Sequence, residues 1–216
     1  MPGPWYSAAL PEAGDAAWEL YHENSKRGPG DGAIAAPEAL RPFAYSGLPE
    51  LTPVPADAPL PPAVAAGTIL HLLAVGGRPL GGDDPVLVFV YAAAVAGLPA
   101  ALAIHDPTGP YLRLLVEDVA PAEVAAARAP GTLDAAAAVV FLATELDAAT
   151  AVAGERGYRN ALVAVGRHLA ALEAAAPAGV TVRPVEINDR VADALLYLDG
   201  LSRSVIAAVA IAGTGG

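Results

Sequence analysis

The chain has 216 residues, 23 acidic side chains against 12 basic ones, a net charge of −11, no cysteine and a single lysine, Lys26. This length can bury a sizeable core as one large domain or two small ones, and an apolar fraction of 55% argues against a disordered chain. Without cysteine there is no disulfide framework, no Cys-based zinc site and no thiol nucleophile; an acidic chain lacking a basic stripe suits neither nucleic acid nor anionic lipid.

The first residues, Met1 to Leu10, lack a basic segment followed by an apolar core, so a cytoplasmic location without a signal peptide is expected. Asp15 to His22 reads as a short helix, capped by Asp15, with Trp18 and Tyr21 at helical spacing. Residues 27–62 carry prolines 29, 37, 42, 49, 53, 55, 59, 61 and 62 and read as a linker that wraps the domain in extended form. This divides the chain into an N-terminal part, 1–62, and a domain at 63–216.

Ala63 to Val75 predicts a helix ended by Gly76-Gly77. Pro85 to Ile104 is uncharged and long enough to span a bilayer. Pro85, Gly97 and Pro99 interrupt it, however, and no Lys or Arg flanks it closely, so it reads as two buried strands, 86–92 and 100–104, joined by a turn at Gly97-Leu98-Pro99. Asp106-Pro107-Thr108-Gly109 predicts a turn into a strand at Tyr111 to Val116. A helix at Pro121 to Ala129 and a strand at Ala137 to Thr144 follow. A single long helix is then expected from Ala148 to Ala176, a strand at Val180 to Val185, a helix at Asp189 to Leu196 and a last strand at Val205 to Ala212. Strands and helices mix without a strict βαβ period, which predicts an α+β fold.

Of the four histidines, none forms an H-x-x-x-H pair, and no metal site is expected. His168 lies within the long helix, as a satisfied core residue or a functional one. Gly76-Gly77 and Gly81-Gly82 flank Arg78-Pro79, either a plain loop or one that approaches a phosphate closely. The densest polar cluster is Gly154-Glu155-Arg156-Gly157-Tyr158-Arg159-Asn160. Its two arginines suit an internal ion-pair set or an anionic ligand.

Tyr21-His22-Glu23-Asn24-Ser25-Lys26 resembles the Y-H-E-x-S-K opening of SagB-type dehydrogenases, FMN enzymes of the nitroreductase fold that oxidise azolines to azoles in modified peptides. Gly97-Leu98-Pro99 through His105-Asp106-Pro107 resembles the family's G-L-P-P-G-L-Y-x-Y-D-P hairpin. Gly154 to Arg159, with Gly166 and His168, resembles its K-Y-G-E-R-x-Y-R…G-H helix, and Leu198-Asp199-Gly200 its L-D-G turn. The resemblance covers most of residues 18–212. It implies a nitroreductase-like mixed sheet with packed helices and a long central helix, shortened in its N-terminal part. It also implies FMN at a dimer interface, with Arg78, Gly81, Arg156, Arg159 and His168 as cofactor contacts.

The departures from the family are specific. The R-R-S-x-R segment that holds the flavin phosphate and ring is missing between the Pro-rich linker and the next helix. In the family's P-S-x-G-A-x-Y-P loop, Gly81 and Pro85 fit but Pro79 stands at the serine position. Val152 and Ala153 replace the catalytic Lys-Tyr pair, and neither can transfer a proton. The resemblance therefore implies a degenerate paralogue with no catalytic residue of its own. Such a chain would act as a homodimer or as a heterodimer with an intact SagB-type dehydrogenase, with a peptide substrate as a further partner and neither nucleic acid nor membrane. Two alternatives are a divergent FMN oxidoreductase active in its own right and a structural or peptide-binding domain without flavin.

Overall fold

The computed structural model describes residues 45–51, 64–77, 79, 84–109, 111–127, 136–154 and 156–213. The predicted helix at 15–22, the Y-H-E-N-S-K run, most of the Pro-rich linker, Arg78, Gly81 and Glu155 lie outside them.

The described elements are, in chain order, a 3-10 turn Tyr45–Gly47, β1 Val64–Ala65, α1 Ala66–Gly76, β2 Val86–Ala92, β3 Val95–Ala96, β4 Ala101–Asp106, β5 Tyr111–Glu117, α2 Pro121–Ala126, β6 Ala138–Glu145, α3 Leu146–Ala153, α4 Arg156–Ala174, β7 Val180–Val185, α5 Asp189–Leu195 and β8 Arg203–Gly213. Six strands form one antiparallel sheet in the order β5-β4-β2-β6-β8-β7; among the described residues the parallel pairing is confined to the two-residue ribbon β1–β3. The uncharged run 85–104 thus forms strands buried inside a sheet. Among the described residues, no helix is long and apolar enough to cross a membrane.

The central strands β2, β4 and β6 are buried on both faces, which explains why their sequences are continuously apolar rather than alternating. Alternate residues still go to opposite sides. Val88, Val90, Ala103, Val140 and Leu142 pack with Ile69, Leu72 and Leu73 of α1 and Val165 and Leu172 of α4. Leu87, Phe89, Ile104, Val139 and Phe141 pack with Val124 of α2 and Ala192 of α5. The result is three layers, α1/α4, sheet and α2/α5, with each fully buried large side chain contributing roughly 1.5–3 kcal/mol.

Residues 49–51 run along the outer edge of β5. The Leu51 amide donates to the Leu112 carbonyl, the Leu114 amide donates to the Pro49 carbonyl, and Leu51 is buried. The segment therefore covers an otherwise unpaired strand edge.

Several predicted boundaries change. The helix expected at 63–75 begins at Ala66, because Val64 and Ala65 pair with Val95 and Ala96. The strand expected at 100–104 runs on to Asp106 and so includes His105. The single long helix expected at 148–176 is two helices, α3 and α4. Gly154 ends α3 with φ 60° and ψ −151°, a backbone conformation that breaks a helix and that glycine adopts most readily. Gly157 then lets the two helices meet: a Cβ there would collide with the Ala149 carbonyl.

Candidate functional site

Ionisable and polar side chains collect at one end of the sheet, where β2, β5 and β8 begin and β4 and β6 end. On the α1/α4 side lies a buried cluster built around His168 of α4. Its Nδ1 donates to the Gly76 carbonyl at 2.6 Å, and its Nε2 lies 2.8 Å from Oδ2 of Asp84. Both side chains are almost wholly enclosed, at 1% and 4% exposure. The other Asp84 oxygen, Oδ1, accepts from the Val86 amide at 3.1 Å. A carbonyl only accepts, so Nδ1 carries a proton; an ionised Asp84 then requires one on Nε2 as well. Burial alone would push this imidazole's pKa down, but the Asp84 carboxylate and the Gly76 carbonyl outweigh it and raise the pKa above its ordinary value.

His105 of β4 belongs to the same buried region. Burial holds its pKa below the usual value, against hydrogen bonding of the ring to the Gly109 and Gly77 backbone and the charge of Asp106, and the charge of His168 lowers it further. Its Nε2 and the Thr144 hydroxyl are buried without a hydrogen-bond partner among the described residues.

On the α2/α5 side the carboxylates are paired. Asp106 accepts from Arg113 at 2.8 and 3.0 Å and from the Thr108 hydroxyl and amide. Burial pushes its carboxyl up, yet Thr108 and Arg113 together hold it below the ordinary range. Glu145 pairs with Arg203 at 2.7 Å. The Tyr45 phenol is pushed up to about 12 by burial and by Glu145 and Asp106, with Arg203 opposing.

Of the five predicted contacts, Arg78 and Gly81 lie outside the described residues. The other three, Arg156, Arg159 and His168, stand on α4. Nine residues separate Arg159 from His168, two and a half turns and about 14 Å along the axis, so these two side chains leave opposite faces of the helix. The structure brings His168 together with Asp84 and Gly76, and leaves the two arginines at the far end of α4. Sequence reasoning missed Asp84, His105 and Thr144; the only local signal was the His105-Asp106 pair at a strand end.

No protein-family model and no curated protein matches the chain. Solved structures do. A protein assigned as a nitroreductase from Anabaena variabilis superposes with a TM-score of 0.65 at 17% identity, over 90% of this chain and 46% of that one, so the chain spans about half its length. A chain of the E. coli microcin synthetase McbBCD complex with truncated pro-MccB17 bound gives 0.63 at 16% identity, over 99% of this chain and 87% of that one. A second assigned nitroreductase, from Ralstonia eutropha, gives 0.53 at 20% identity over 88% and 93%. The fold is that of the nitroreductases.

A nitroreductase-like fold raises the question of a flavin, and the described residues fit one only in part. Arg156 and Arg159, on the first turn of a 19-residue helix, are a donor set suited to a phosphate. The flavin ring needs donors of its own. At the polar end of the sheet, Arg113 and Arg203 are engaged by carboxylates, and both nitrogens of His168 are occupied. Val152 and Ala153, at the end of α3, offer no proton-transfer atom where the resembled family has its Lys-Tyr pair.

Proposed function

We propose that the chain is a degenerate SagB-type protein of nitroreductase fold. In this reading it serves in the cytoplasm as a non-catalytic or half-site partner of an FMN-dependent azoline dehydrogenase in modified-peptide biosynthesis. The observation that carries the proposal is the α3–α4 junction. Its framework is kept, with Gly157 admitted against Ala149 and two arginines on the first turn of α4, while the positions before Gly154 hold only Val152 and Ala153. The fold likeness to a chain of a multi-subunit synthetase with a peptide bound supports the same reading. The outer face of α4 adds to it: Tyr158, Leu162 and Val163 are exposed there, as a surface that meets a partner subunit would be.

A half-site subunit purified alone should bind FMN weakly and show no azoline oxidation. Mixed with an intact SagB-type dehydrogenase, it should co-elute on size-exclusion chromatography. A stoichiometric yellow complex that oxidises an azoline peptide unaided would overturn the proposal.

Retention of Arg156 and Arg159 favours a second reading, a divergent FMN oxidoreductase active in its own right. In that case Arg159→Ala should abolish flavin retention; in the half-site reading it lowers an already weak affinity about tenfold.

A further inference from the structure

The large apolar side chains that face solvent are not scattered. Among the described residues there are eight, and all stand at the polar end of the sheet. Four are on the α3–α4 hairpin: Val152, Tyr158, Leu162 and Val163. Tyr197 and Leu201, 79% and 80% exposed, are on the loop between α5 and β8. Val75 lies at the end of α1 and Tyr111 at the start of β5. Single exposed apolar residues are ordinary, but a gathering of them at one end marks an interface.

The two main parts of this patch differ in shape. His168 is held at the end of the sheet by Gly76 and Asp84, and α4 then runs back over the sheet toward β7. Arg156 lies 12 residues before His168, about 18 Å along the axis. The first turns of α4 therefore extend past the sheet, braced by α3 where Gly157 meets Ala149. The hairpin is an arm. The loop is stiff: Asp199 accepts from the Leu201 and Arg203 amides and from the Ser202 hydroxyl, and the Leu146 amide donates to the Ser202 carbonyl. Tyr197 has φ 57°, a conformation that the surrounding structure must impose on a residue other than glycine.

Their charges differ too. The arm side carries Arg156 and Arg167 on α4. Beside the loop stand the exposed Asp147 and Asp199, while Arg203 is paired with Glu145. Two chains of net charge −11 repel one another. Arm against arm would add arginine to arginine, and loop against loop aspartate to aspartate. Arm against loop joins opposite charges and covers apolar surface on both sides. A two-fold axis makes that contact twice.

We propose that this end of the molecule is a self-pairing surface: the α3–α4 arm of one copy lies on the α5–β8 loop of a second copy, and the second arm on the first loop. This pairing holds whether or not the chain partners a dehydrogenase. The outer face of α4 serves both associations, so each excludes the other.

Sedimentation velocity of the full chain over a concentration series reads the pairing. Val163→Asp puts an acid on the arm and Leu201→Arg a base on the loop, both at exposed positions. Each alone should raise the dimer dissociation constant at least about thirtyfold, because each change enters a two-fold contact twice. Mixed in equal amounts, the two variants should pair again, since the mixed dimer keeps one native arm on one native loop. Arg183→Glu, exposed on β7, changes net charge more than either variant and should pair like the native chain. Unchanged pairing in both single variants would overturn the surface. Failure of the mixture to pair would overturn the arm-to-loop arrangement. A native chain that stays monomeric at its highest soluble concentration, and pairs only with an intact SagB-type dehydrogenase, would overturn self-pairing and leave the proposed function standing.

Discussion

Gly76 of α1 lies directly against Leu172 of α4: a Cβ at position 76 would stand 2.7 Å from the Leu172 amide nitrogen and from its side chain. This is a close approach of the two helices that cover one face of the sheet, and it brings the Gly76 carbonyl to His168. Gly76→Ala must push the helices apart and lengthen that hydrogen bond. Overpacking of this kind costs about 1–3 kcal/mol. Urea denaturation of the variant should show that loss in its midpoint.

The three glycines of α4 and its preceding turn should respond with different signs. At Gly157 the crowding atoms are backbone, the Ala149 carbonyl and the Thr150 amide, so Gly157→Ala should destabilise by about 2–3 kcal/mol and displace the first turn of α4. At Gly166 an added Cβ meets nothing, and Gly166→Ala should stabilise by about 0.5–1 kcal/mol through helix propensity. Gly154, with φ 60°, should resist any substitution. Thermal melts of the first two variants decide the contrast, and equal shifts would refute it.

Asp106 predicts a pH signature. Its folded-state pKa lies below its unfolded value, so the stability it supplies is present above the ordinary carboxylate range and is lost as pH falls through the folded pKa. Asp106→Asn should flatten the acid limb of the stability–pH curve, and should cost about 1–3 kcal/mol at pH 7, where its bonds to Arg113 are made. Chemical denaturation between pH 2 and pH 7 measures both.

Asp193 ties α5 to β8. It is buried and accepts from the Val205 amide at 2.7 Å and from the Ser204 hydroxyl at 2.9 Å. Asp193→Ala leaves the Val205 amide without that acceptor, which costs about 1–3 kcal/mol. Faster hydrogen exchange at Val205 than at Val140 in the variant would locate the loss.

The fold was legible where the signal is local. The runs Val86 to Ala92 and Ala138 to Thr144 are apolar and rich in β-branched residues over one strand length, and both are strands of the central sheet. The helix expected to start at Ala63 starts at Ala66, because the two residues before it pair with a strand 31 positions later. The break at Gly154 lay within alanine-rich sequence that is helix-favouring on both sides, and only the backbone angle of one glycine ends the first helix. At the candidate site, His168 drew notice as a polar residue in an apolar helix, but its partners could not be read from spacing, being 84 and 92 residues away.

Composition and order alone determined several things about this protein: an α+β chain with a buried apolar sheet, no cysteine, an acidic balance, and no Lys-Tyr pair before Gly154-Glu155-Arg156. Each of these depends on residue identity or on periodicity within one element. The tertiary structure decided which polar groups meet. It placed Asp84 and Gly76 on one imidazole, separated Arg159 from His168 along α4, and gathered Asp106, Glu145 and Tyr45 at the same end of the sheet. Such contacts depend on how distant elements pack, and packing is set by the sum of many small burial energies rather than by any local pattern.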